Sequence, residues 1–132
     1  MAVVSLDSGN FGAVLSRPGI LLIEWGAKWC AAYRGFDSVF ERMAGRHGDV
    51  TLARVDVEAQ PELVEVMGVQ ALPALMMFRD GFLLLNHVGA LPEPMMEDLV
   101  RQARALDMEE VRRRRGGPRS SATRVRVGLH GM

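Results

Sequence analysis

The chain has 132 residues, nearly half of them apolar, and its sixteen basic and sixteen acidic residues cancel. That size and apolar share suit one globular domain with a real core, and no apolar run reaches the roughly eighteen residues that a membrane-spanning helix needs. The single cysteine, Cys30, excludes an internal disulfide and any multi-thiolate metal site.

Charge is unevenly spread. All sixteen acidic residues lie at or before Glu110, so residues 1–111 carry nine basic and sixteen acidic groups, net −7, and the remainder carries seven arginines. Such asymmetry marks a boundary between an acidic folded body, residues 1–111, and a basic appendage, residues 112–132. The N-terminus, Met1 to Leu6 and then Asp7, lacks the positive flank and long apolar stretch of a signal peptide, and a cytoplasmic location is expected.

In chain order, a short apolar start (Val3, Val4) precedes a predicted helix over Asp7 to Leu15, which Ser16-Arg17-Pro18-Gly19 stops. Ile20 to Trp25 is continuously apolar at its start, as a central strand buried on both faces would be. From Tyr33 to His47 the apolar residues Phe36, Val39, Phe40, Met43 and Ala44 recur at helical spacing. Thr51 to Val57 reads as a strand and Pro61 to Met67 as a short helix with proline in its first turn. Leu72 to Phe78 and Phe82 to Val88 form a predicted hairpin about Arg79-Asp80-Gly81. A last helix begins near Glu93, with Met95, Met96, Leu99, Val100, Ala103, Leu106 and Val111 on its stripe. The order β-α-β-α-β-α-β-β-α predicts an α/β fold with a mixed central sheet and helices on both sides. Beyond Val111 little is left to bury, so the tail is expected to be disordered, although Arg124-Val125-Arg126-Val127 alternates like an edge strand.

Cys30 stands between the end of the buried strand and the start of a helix. Unpaired N–H groups and the positive end of the helix dipole favour a thiolate there, which makes a nucleophilic sulfur one reading; a small buried hydrophobe is the other. His47, His87 and His130 show no ligand spacing with Cys30, no glycine-rich phosphate loop occurs, and neither metal nor cofactor is expected. The arginine tail lacks interleaved aromatics, so nucleic acid is not the expected partner.

Trp29-Cys30-Ala31-Ala32-Tyr33-Arg34 resembles the active-site segment of the thioredoxin family, Trp-Cys-Gly-Pro-Cys-Lys, and the resemblance extends over residues 20–106. Glu24 falls where that family has a buried acid and Arg54 where it has a lysine facing that acid. Ala71-Leu72-Pro73-Ala74-Leu75 resembles its cis-proline segment, and Val88-Gly89-Ala90-Leu91 its glycine segment. The resemblance implies a thioredoxin fold with a cis Leu72-Pro73 bond beside Cys30. It also implies roles in thiol exchange for Cys30, Glu24 and Arg54, and a partner groove formed by Trp29, Tyr33, Leu72, Pro73 and Ala90. Glu24 is expected either to pass protons or to form a structural ion pair with Arg54, the arginine favouring the pair.

The departures change the expected chemistry. Ala31 and Ala32 replace Gly-Pro, and Tyr33 replaces the cysteine that would resolve a mixed disulfide. An internal resolving thiol acts at an effective concentration of up to about 10⁵ M, far above cellular glutathione, so sustained reduction by this chain alone is not expected. Monothiol exchange with a protein partner whose own second thiol resolves it, exchange with glutathione, or a redox-sensitive contact remains; Tyr33 is placed to bond the sulfur or to cap the pocket. The alternative is a non-catalytic, chaperone-like module that holds a client protein in the cis-proline groove.

Overall fold

The computed structural model describes residues 3–115, which fall into two compact units, one ending at Leu91 and a second beginning at Pro92.

The first unit is a five-stranded sheet. Its strands are β1 (Val4–Ser5), β2 (Ile20–Gly26), β3 (Val50–Asp56), β4 (Ala74–Arg79) and β5 (Phe82–Val88), in the order β1-β3-β2-β4-β5. β1, β3 and β2 run parallel, whereas β4 and β5 are antiparallel to their neighbours. Parallel neighbours need a crossover, and helices α1 (Phe11–Leu15) and α2 (Ala31–Arg46) precede and follow β2 for that reason; α3 (Pro61–Met67) leads to β4. β2, in the middle, is buried along its whole length, as its apolar run requires. Its odd residues Leu21, Ile23 and Trp25 join Val14, Ala53, Val55, Leu63, Ala74, Met76 and Phe78 in one apolar cluster. On the opposite face, Leu22, Glu24 and Gly26 lie toward α2, which buries Tyr33, Phe36, Phe40, Met43 and Ala44.

Most boundaries match the sequence reading, and the exceptions have local causes. The helix expected from Asp7 begins only at Phe11, because the Asp7 carboxylate accepts from the N–H groups of Gly9 (2.8 Å) and Asn10 (2.9 Å) while Asn10 accepts from that of Asp7 (2.9 Å). Those bonds hold a turn rather than a helix. β4 starts at Ala74 and not at Leu72, since Pro73 brings no N–H to the ladder. The Leu72-Pro73 peptide is cis, as expected. The hairpin turns on two residues, Asp80 and Gly81, both at positive φ (52° and 84°), the backbone a tight hairpin needs. Asp80 also closes on the turn before β2: its N–H donates to the Gly19 carbonyl (2.9 Å) and its carboxylate accepts from the Gly19 N–H (2.7 Å).

In the second unit, α4 (Glu93–Ala105) buries Met96, Leu99, Val100 and Ala103 on one stripe, with Met95 half-buried beside it. The stripe does not continue through Leu106 in one helix. Leu106 is extended (ψ 138°), and Asp107 begins a new helix, α5 (Met108–Arg115), by accepting from the N–H groups of Glu109 (3.0 Å) and Glu110 (3.4 Å). The expected boundary after Val111 falls inside α5, where Arg113 and Arg114 pair with Glu110. Residues 116–132, including the Arg124–Val127 alternation, lie outside the described residues.

Candidate functional site

Cys30 ends the loop that leaves β2. Its N–H donates to the Ala27 carbonyl (3.0 Å), and its own carbonyl accepts the Arg34 N–H (3.2 Å), the bond that opens α2. Cys30 is therefore the N-cap residue, extended at φ −88° and ψ 112°, and its side chain is half-buried. The Arg34 guanidinium donates to the Lys28 carbonyl (2.7 Å) and braces this loop from the first turn of the helix. Trp29, 65% exposed, donates its indole N–H to Glu58 (3.1 Å). An indole left that open next to a half-buried cysteine is a surface for contact rather than core.

Tyr33 does something different from a second cysteine. Its ring lies over Gly26: a methyl group added there would come within 2.0 Å of the ring carbon Cδ1, so the glycine is what lets the ring down onto the strand. The residue is 6% exposed, yet it borders a cleft of about 560 Å³ lined also by Ser5, Lys28, Arg34, Asp37, Arg54 and Asp56. Of the two roles open to Tyr33, the hydroxyl makes no hydrogen bond to the Cys30 sulfur among the described residues, and the ring closes the space above Gly26. Burial and the neighbouring Glu24 and Asp37 carboxylates push the phenol pKa up, so it stays neutral.

Glu24 and Arg54 are direct partners in the parallel β2–β3 register, as the sequence suggested. Side chains follow that pairing only in part. Arg54 turns toward α2, where its Nε and Nη2 both reach the Asp37 carboxylate (2.9 and 2.8 Å) and Nη2 also bonds Glu41; only a 3.8 Å approach to Glu24 remains. At that distance there is no hydrogen bond. Although burial works against its charge, the bonds from Glu41 and Asp37 hold the guanidinium more firmly protonated than usual. Glu24 itself is fully buried and neither of its oxygens meets a donor. Burial, with the like charge of the Asp37 carboxylate beside it, pushes its carboxyl up to about 10, and Arg54 is too committed elsewhere to reverse this. The expected Glu24–Arg54 ion pair is thus kept as a 3.8 Å contact, while the hydrogen bonds of Arg54 go to two other carboxylates. Asp37 and Glu41 escaped the sequence reading, although their i, i+4 spacing with each other and with Tyr33 sets all three along one side of α2.

The proposed groove residues come to the same end of the sheet. Trp25 pairs with Ala74 and Ala74 with Val88, so the exit of β2, the start of β4 and the end of β5 share one edge. Gly89 donates to the Pro73 carbonyl (2.7 Å), fixing the strand end against the buried proline. Leu72 is half-buried and Ala90 exposed, and Val88, at 62% exposed, adds apolar surface that the sequence did not single out. Among the described residues no group of three His, Cys, Asp or Glu side chains is placed to hold a metal ion, and no helix is long and apolar enough to cross a membrane.

Comparison with known proteins fits this geometry. The family described as Thioredoxin matches residues 2–102. A Streptomyces coelicolor protein described as a candidate thioredoxin 2 is 38% identical over 112 residues, covering 85% of this chain and 84% of its own. Thioredoxin of Bacillus subtilis is 29% identical over 101 residues, 76% of this chain and 96% of its own. In three dimensions a mutant thioredoxin from Halobacterium salinarum superposes with a TM-score of 0.74 at 25% identity, over 80% of this chain and 94% of that one.

Proposed function

This chain belongs to the thioredoxin family, and on that premise we propose that it engages protein partners through Cys30 alone, by monothiol thiol–disulfide exchange within cell redox homeostasis. The observation that carries the reading is the position of Cys30: a half-buried cysteine at the N-cap of a sixteen-residue helix, next to an exposed tryptophan, with a buried phenol where a resolving thiol would stand. In the exchange, the Cys30 thiolate attacks one sulfur of a partner disulfide, the S–S electron pair leaves with the other sulfur, and a mixed disulfide forms. Its release falls to the partner's own second thiol or to glutathione, because Tyr33 supplies none. Trp29, Tyr33, Leu72, Pro73, Ala90 and Val88 would border the partner chain, extended beside the Pro73 backbone. Glu24, neutral and buried behind the site, is suited to hold a proton through the exchange, with Arg54 fixing the carboxylates around it. A single unpaired cysteine suits a reducing compartment, and we assign the activity to the cytoplasm.

Oxidised glutathione tests the reading. At mildly acidic pH the native chain should gain one glutathione mass faster than the urea-unfolded chain, which has lost the N–H groups and dipole of α2. Slower modification of the native chain would replace exchange by the non-catalytic client-binding module. No sustained insulin reduction with thioredoxin reductase is expected from the natural chain, whereas Tyr33→Cys should bring at least weak turnover.

A further inference from the structure

The two edges of the sheet are guarded differently. β1 closes one side with only two residues, Val4 and Ser5, too short a stretch to receive another strand. β5 closes the other side with seven, and no strand lies beyond it among the described residues. Exposed edges in soluble proteins are ordinarily kept apart by a lysine, another charge or a proline. Phe82 to Val88 contains no Asp, Glu, Lys, Arg or Pro. A bulge between Met77 and Phe78 disturbs the ladder near the start of β5, which leaves Leu85 to Val88 as the regular part of the edge.

The side chains along this edge are also uncovered. Leu83, Asn86 and Val88 stand opposite Phe78, Met76 and Ala74 in the β4 register, and those three belong to the apolar cluster. That face of the sheet thus runs outward from buried core to β5, where Leu83 is 42% exposed, Val88 is 62% exposed and Asn86 is exposed between them.

We propose that this edge is the contact surface for a second copy of the chain, the two β5 strands running antiparallel about a two-fold axis so that two five-stranded sheets join into one. About such an axis each residue meets its own counterpart or a near neighbour, so any charge on the strand would face its like; β5 carries no carboxylate, lysine or arginine to do so. Leu83 and Val88 lie toward opposite ends of the strand and on one face. An antiparallel copy brings its Val88 end to this Leu83 end, and each exposed apolar side chain is covered by another. The copies do not repel as wholes either, because sixteen basic and sixteen acidic residues leave the chain without net charge. One strand edge buries less than a standard interface, so the dimer is weak, with a dissociation constant on the order of 10–100 µM. Val88 also borders the groove of the proposed function, where the second copy would add to the rim, but the pairing of copies does not rest on exchange at Cys30.

Sedimentation velocity of the full chain, under a thiol reductant so that no disulfide links two copies, tests this. The weight-average mass should rise from that of one chain toward that of two between about 1 µM and about 1 mM. Asn86→Lys sets two like charges close to the axis, as does Asn86→Glu, and each alone should keep the mass of one chain where the natural chain is paired. Mixing the two variants should restore most of the doubled mass, since opposite charges then meet. Thermal unfolding shows that each variant is folded, and Leu83→Lys, toward the other end of the strand, provides a second disruption if either fails. A mass of one chain at every concentration overturns the proposal. So does a dimer that forms equally well in Asn86→Lys, Asn86→Glu and Leu83→Lys, since its contact would lie away from β5. Cys30→Ser should dimerise like the natural chain, so an unreactive Cys30 would defeat the exchange reading and leave this one standing.

Discussion

The two faces of β2 are equally buried and do opposite work. On one, Leu21, Ile23 and Trp25 pack into a cluster where the Trp25 indole nitrogen is left without a partner. On the other, Leu22 is followed by Glu24, fully enclosed with no donor at either oxygen, and then by Gly26, where a side chain is missing so that a tyrosine ring can lie down. Burial alone therefore does not make a core. The first face is stabilised by the apolar area it removes from water, and the second gives up some of that stability to hold a titratable group behind the loop that carries Cys30.

Ile23→Ala should separate the faces most strongly. It deletes buried methyl and methylene groups from a packed cluster and should cost about 4 kcal/mol at every pH. Denaturant unfolding measures that loss, while the alkaline titration of Glu24 should be unmoved. If the titration moved as much as the stability fell, the two faces would not be independent.

Glu24→Gln should have the opposite sign. The unfolded carboxyl titrates near 4.5 and the folded one near 10, so between those values the unfolded chain is ionised while the folded chain still carries the proton. Stability linked to this group is complete below about pH 4.5 and is lost as pH rises toward 10. By pH 7 the loss amounts to about 3 kcal/mol. Glutamine has no such titration and nearly the same volume. The variant should gain most of that amount at pH 7 and almost nothing at pH 4, as thermal unfolding across pH would record.

Gly26→Ala comes next, at about 2 kcal/mol of destabilisation, because its methyl group would meet the Tyr33 ring. Combined with Tyr33→Cys, which removes the ring, the added methyl should cost much less. A double-mutant cycle that came out additive would show that the ring does not depend on the glycine. The smallest effect belongs to the exposed rim: Glu58→Gln alters the bond from the Trp29 indole and should change stability by less than about 0.5 kcal/mol.

Much of this arrangement was legible before any coordinates. The four-residue apolar run of Ile20 to Ile23 identified the central strand, Pro61 opened its helix, and Asp80-Gly81 marked the hairpin, because each rests on a backbone preference that tertiary contacts do not overturn. Cys30, Tyr33 and Pro73 fell into place through the resemblance around them. What stayed hidden depended on side-chain competition. Arg54 does pair with Glu24, its register neighbour, at 3.8 Å, yet a guanidinium with several carboxylates in reach gives its hydrogen bonds to those that are better hydrated, here Asp37 and Glu41. The turn at Asp7 and the break at Asp107 depend on side-chain oxygens that bond nearby backbone N–H groups, and at Asp107 the apolar spacing continued across the break and drew the helix too long.

The exposure of Trp29 also gives the chain its own optics. Its two tryptophans sit at opposite extremes, Trp25 sealed at 0% and Trp29 open at 65%. A water-borne quencher such as iodide reaches Trp29 and leaves Trp25 bright until the domain unfolds. Since Trp29 adjoins Cys30 in the chain, its emission should respond to what is attached to that sulfur, with Trp25 as the internal reference. Events at the thiol and loss of the fold are thereby separable in one cuvette, without a label.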